Sequence, residues 1–94
     1  MTNIPLRITR TPLFKRHYQE CIAKDVKLRE IVVNALRAFA EDRTTPDLRD
    51  HQLTGSMKKL RAFSVSEDVR IIYQNTANGI ILLDIGSHQS VYRG

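Results

Sequence analysis

The patterns along the sequence predict an α+β domain: an N-terminal strand, a two-helix antiparallel hairpin, then a three- to four-stranded antiparallel meander. Three observations carry that prediction. Apolar residues alternate over Ile4–Thr9, two stripes at helical spacing lie between Thr11 and Asp42, and short apolar runs divided by turn signals follow from Lys58 onward.

In the first segment Ile4, Leu6 and Ile8 fall on one side and Arg7 on the other, the period of a half-buried strand. Thr11-Pro12 reads as an N-cap with proline at the first helical position. The helix is expected over Pro12–Lys24, with Leu13, Tyr18, Ile22 and Cys21 turned inward. Asp25 caps a second helix over Val26–Asp42, where Leu28, Val32, Ala35, Leu36 and Phe39 form the buried stripe. The short join makes the two helices antiparallel neighbours.

The stretch "DRTTPDLRDHQLTGS", Asp42–Ser56, is polar, lacks a period, and holds Pro46 and Gly55. It is a loop long enough to suggest a functional role. Strands are then expected at Lys58–Ser66, Val69–Asn75 and Ile80–Ile85, with the Asn-Gly signal of a hairpin turn in "TANG" and a short last strand at Val91–Arg93. One sheet face is covered by the helices, and the other is solvated or occupied by something else. That second face is where function is sought.

The 94 residues make a single domain, 1–94, too short for a second core. One cysteine leaves no internal disulfide and fits a reducing compartment. The N-terminal "TNIPLRITR" lacks the apolar segment of a signal peptide, and no run is long enough to span a bilayer, so a cytoplasmic protein without a membrane partner is expected. Fifteen Lys and Arg against ten Asp and Glu give +5, and ten of the basic residues are Arg, which favours a polyanionic partner such as nucleic acid.

His17 and Cys21 stand at ligand spacing, but two ligands without further donors nearby do not make a zinc site. No glycine-rich phosphate loop or nucleophile elbow occurs, which argues against nucleotide-driven chemistry and serine hydrolysis. No cofactor is expected. What remains is a set of acid–base and cationic residues in the C-terminal half: His51, Lys58, Lys59, Arg61, Asp68, Arg70, His88 and Tyr92. Each lies at a strand end or in a loop beside the sheet. Arg61 and Arg70 flank a short turn and are expected near each other, or Arg61 pairs with Asp68.

Metal-free RNA cleavage needs such a set. A base takes the ribose 2′-OH proton, an acid protonates the leaving 5′-oxygen, and cations balance the charge on the pentacoordinate phosphate. Histidine can serve either proton-transfer role near neutrality, and an aromatic ring can stack on an unpaired base. Residue types alone favour a basic interaction module without catalysis over RNA chemistry.

The segments "DHQLTGSMKKLR", "EDVRIIY" and "IGSHQSVY", in this order and spacing, resemble the RelE/ParE superfamily of toxins from bacterial type II toxin–antitoxin modules, closest to the YafQ-like branch. The resemblance covers Asp50 to the C-terminus. It implies the RelE-like β-α-α-β-β-β fold and a ribosome-dependent, metal-independent endoribonuclease, an mRNA interferase that inhibits translation by 2′-OH attack giving a cyclic phosphate. The implied partners are a cognate antitoxin, the ribosome and mRNA, with operator DNA reached only through the antitoxin complex.

Residue by residue, the resemblance implies His51, Asp68 and His88 as the acid–base groups, with His88 the candidate acid. It implies Tyr92 as the aromatic beside the substrate base and Arg70 as a phosphate contact. It puts Lys58, Lys59 and Arg61 in the basic strand that relatives use on RNA. Ser64 stands where YafQ-like toxins often carry a histidine, and Val69 replaces a tryptophan. Two alternatives remain within the same fold: a ParE-like inhibitor of DNA gyrase, and a catalytically impaired member acting through antitoxin and operator binding.

Overall fold

The computed structural model describes residues 7–57 and 59–87. Ile4 and Leu6, Lys58, His88, Tyr92 and the strand expected at Val91–Arg93 lie outside the described residues. The elements are β1 (Ile8–Arg10), α1 (Pro12–Cys21), α2 (Val26–Glu41), β2 (His51–Gln52), β3 (Arg61–Ser64), β4 (Val69–Thr76) and β5 (Gly79–Ser87), with 3₁₀ turns at Pro46–Leu48 and Gly55–Met57.

Both helices begin where their capping residues predict. The Thr11 hydroxyl accepts from the Phe14 N–H at 3.1 Å, and the Asp25 carboxylate accepts from the Leu28 N–H at 3.1 Å. The first helix ends at Cys21, earlier than expected, and its inward residue is Phe14, 2% exposed, whereas Leu13 is 41% exposed. In a ten-residue helix the apolar stripe is too short to fix its own phase, and the larger ring takes the core position. Cys21 is exposed rather than inward.

The five strands form one sheet in the order β1-β5-β4-β3-β2. From β2 to β5 every pair is antiparallel, as expected for a meander. The first strand instead lies parallel to the last, Ile8 beside Ile80 and Arg10 beside Leu82, so the sheet is mixed. Gly79 makes this junction possible. Its φ is +146°, and a Cβ there would sit 2.1 Å from the Arg7 carbonyl oxygen, which accepts the Ile80 N–H at 2.8 Å.

Alternation along β3 and β4 sorts the side chains onto two faces. Phe63, Val69, Ile71 and Tyr73 pack beneath the helices with Phe14, Ile22, Val32 and Phe39. Phe39 stacks on Phe63 at 4.3 Å between centroids and meets the edge of Tyr73 at 4.8 Å. The second face is partly covered by the chain's own loop. Leu53 closes a smaller cluster with Ala62 and Ile72, backed by Met57, Leu60 and Leu83. The Leu53 N–H bonds to the Leu60 carbonyl and holds this loop as a flap beside β3.

Candidate active site on the second face of the sheet

The loop before the sheet is anchored by one buried carboxylate. Asp50, whose side chain is 7% exposed, accepts from the Tyr73 hydroxyl at 2.6 and 2.7 Å and from Arg61 Nε at 2.9 Å. The same Arg61 N–H reaches the Tyr73 oxygen at 3.1 Å, and Arg43 Nε stands 3.6 Å from Asp50. Arg43 also lies over the Tyr73 ring at 5.5 Å and donates to the Asn75 side-chain oxygen. Burial, reinforced by the bond to Asp50, pushes the Tyr73 phenol up to about 12. Burial draws the Arg61 guanidinium down, but its bonds to Asp50 and Tyr73 more than offset this and leave it raised.

This anchor corrects the expectation for Arg61. Its register partner is Tyr73, whereas Arg70 pairs with Ser64, so the two arginines stand at different places along the ladder and on opposite faces. The bend over residues 65–68 makes this hairpin longer than the short turn expected from the sequence. Arg61 pairs with Asp50 and not with Asp68.

His51 follows the anchor directly. It is exposed, and its partner across the ladder is Ala62, which puts it on the second face. Its Nδ1–H donates to the Arg49 carbonyl oxygen at 2.8 Å. Arg49 has φ 50° and ψ 42°, the only left-handed non-glycine among the described residues, and closes the 3₁₀ turn through its N–H bond to the Pro46 carbonyl. The histidine borders a hollow of about 320 Å³ with Gln52, Leu53, Thr54 and Met57.

Arg70 projects from the same face, opposite Ser64. Its Nη1 donates to the carbonyls of Ser66 at 2.7 Å, Glu67 at 2.9 Å and Val69 at 3.2 Å, so the guanidinium is locked against the bend. A groove of about 430 Å³ opens beside it, lined by Asp47, Arg49, Ser64, Ser66, Glu67 and Arg70. Asp68 sits exposed at that bend, with no hydrogen bond or ion pair among the described residues. Ser87 of β5 lies opposite Val69, the neighbour of Asp68 in the chain.

The sequence-expected residues thus divide into separate groups. Arg70 borders the groove of about 430 Å³, with Asp68 on the bend next to it. His51 lines the neighbouring hollow, reaching the groove through Arg49. Its backbone stands roughly 12 Å from that of Arg70, two strand spacings across and two residues along. Lys59 is exposed in the turn before β3, and borders a third hollow of about 580 Å³ with Gln52, Arg61, Gln74 and Asn75. Asp47, Arg49 and Asp50 were missed, although they lie in the long polar loop already singled out. His17 is not a free surface residue: its Nδ1 meets Asp84 Oδ1 at 2.5 Å and ties α1 to β5. Among the described residues no group of three or more His, Cys, Asp or Glu could hold a metal ion.

The fold and its residues have clear relatives. A model of the family described as the bacterial toxin of type II toxin–antitoxin system, YafQ, matches residues 6–93. A copper-bound mutant toxin from Helicobacter pylori is similar at 25% identity and TM-score 0.71, with 92% of this chain and 98% of that one covered. The DinJ–YafQ complex from E. coli includes a chain at 20% identity and TM-score 0.70, covering 93% and 98%. A YoeB/ParE toxin from Agrobacterium tumefaciens shares the fold at 13% identity and TM-score 0.73, covering 88% and 99%. No curated protein sequence matches the chain. With nearly its whole length matched by the family model, and the α+β architecture shared with these toxins, the chain belongs to the YafQ family of bacterial toxins of type II toxin–antitoxin systems.

Proposed function

We propose that this toxin is an mRNA interferase: a ribosome-dependent endoribonuclease that cuts mRNA without a metal and so inhibits translation. The observation that carries the reading is the second sheet face of a YafQ-family chain, where a locked Arg70 borders a groove, the exposed Asp68 stands on the bend next to it, and the exposed His51 lines the neighbouring hollow. Arg70, held rigid by three carbonyls, is suited to stabilise charge on the phosphate without reorganising.

In the reaction a base removes the 2′-OH proton, the 2′-oxygen bonds to phosphorus, and the bond to the 5′-oxygen breaks as an acid protonates it. His51 and Asp68 are the two groups able to act as base, His88 is the acid, and Tyr92 stacks on the base of the substrate. Lys58 and Lys59 dock the RNA backbone. Arg61 supports the site through Asp50 rather than by touching phosphate. The ribosome positions the mRNA, so free RNA is a poor substrate.

The E. coli YafQ relative is found in complex with DinJ. By analogy a cognate antitoxin silences this toxin by covering the same basic face. The test is translation in a reconstituted extract. Wild-type protein is expected to abolish protein output and leave mRNA cut at codon boundaries, ending in 2′,3′-cyclic phosphates, while His88→Ala leaves the message intact. Intact mRNA with the wild type, or equal cleavage by the two, refutes the reading.

A further inference from the structure

We propose that the left-handed turn at Arg49, clamped through Asp50, fixes His51 in the tautomer that carries its proton on Nδ1. The Nε2 lone pair is then left to take the 2′-OH proton. The proposal rests on the RNA-cleavage reading and deepens it, since it chooses His51 over Asp68 as the base and makes Asp50 a positioning residue.

The chemistry follows from one contact. A carbonyl oxygen has no proton to give, so the 2.8 Å approach of His51 Nδ1 to the Arg49 oxygen requires an N–H on Nδ1. In the neutral ring Nε2 is then unprotonated and faces away from that bond, as a general base must. As it takes the 2′-OH proton the 2′-O–P bond forms and the P–O5′ bond breaks. The leaving oxygen is protonated by the acid on the opposite side.

The carbonyl points at His51 because Arg49 is left-handed. A non-glycine residue pays about 1 kcal/mol or more for that conformation. It keeps it only where the surroundings over-determine the backbone. Here both sides are fixed. The Arg49 N–H is bound to the Pro46 carbonyl, and the next residue, Asp50, is tied to Tyr73 on β4 and Arg61 on β3. His51 itself is held to Ala62 in the β2–β3 ladder. The buried carboxylate next to the histidine therefore acts on it through the backbone and not by contact.

The test reads the tautomer directly, by long-range ¹H–¹⁵N spectra of the full-length ¹⁵N-labelled toxin at a pH where the ring is neutral. In the wild type His51 is expected to show a protonated Nδ1 and a bare Nε2. Asp50→Ala is expected to give a mixture of tautomers, and on ribosomes to lose about tenfold in kcat with KM unchanged, the scale of one lost orienting bond. Asp50→Asn, which still accepts from Tyr73, is expected to keep the wild-type tautomer. If Asp50→Ala does not fold, Arg49→Val makes the same test, because a β-branched residue resists the left-handed region.

A proton on Nε2 in the wild type overturns the proposal, whether or not RNA is cut, and so does an unchanged tautomer in the Asp50→Ala or Arg49→Val protein. A wild type with the expected tautomer that cuts no mRNA instead overturns the interferase reading and leaves the turn geometry standing.

Discussion

Replacing Asp50 by alanine isolates the link between the loop and the sheet. The carboxylate accepts from two donors, the Tyr73 hydroxyl, whose one proton is shared between both oxygens, and the Arg61 Nε–H. A bond to a charged group contributes roughly 1.5–3 kcal/mol. The Arg61 side chain is 31% exposed, so water screens its share and the lower end applies. Tyr73 is fully buried, and its hydroxyl is left without an acceptor at a cost of about 1–3 kcal/mol. Together these give a loss of about 3 kcal/mol, or a fall in Tm of about 15 °C for a domain of this length.

Tyr73→Phe removes the hydroxyl but leaves Asp50 with Arg61, and is expected to cost about 1.5 kcal/mol. The double variant is expected to cost little more than Asp50→Ala alone, a coupling of about 1 kcal/mol. Urea unfolding of the four proteins measures the cycle. A cost below about 1 kcal/mol for Asp50→Ala, or strict additivity, refutes the anchor.

Other expectations follow from the same contacts. The Tyr73 phenol has its folded-state pKa raised from 10 to about 12, so its contribution is complete below pH 10 and is lost as pH rises through 12. Two pKa units amount to about 2–3 kcal/mol, visible as the difference between wild-type and Tyr73→Phe stability over that window; parallel curves would contradict it. Gly79→Ala drives a Cβ into the Arg7 carbonyl at a positive φ that L side chains rarely adopt, and a loss of about 2–3 kcal/mol in urea unfolding is expected. Arg70→Lys cannot bridge three carbonyls and still present a planar donor face; ribosomal mRNA cleavage is expected to fall at least about tenfold, with an unfolding midpoint close to wild type.

Local signals were legible in the sequence, and long-range pairings were not. Thr11-Pro12 and Asp25 marked both helix starts because capping is a matter of four consecutive residues. Asn78-Gly79 marked the β4–β5 turn for the same reason. The two residues of β2 are too few to show alternation, and nothing local says that the first strand lies parallel to the last. In the site, the sequence patterns singled out His51, Asp68 and Arg70 but could not sort them onto faces. The separation of Arg61 from Arg70 depends on a register set by the four-residue bend at 65–68. Asp50 was invisible as an anchor because its partners lie 11 and 23 residues away.

The parallel pairing of β1 with β5 also sets when this protein can finish folding. Ile8 finds its ladder partner at Ile80, so β1 must wait for β5. Joining ends so far apart carries the full loop-closure entropy, and such non-local pairing is slow. Until β5 is made, the helix pair can form, but the β1 edge of the sheet cannot be sealed.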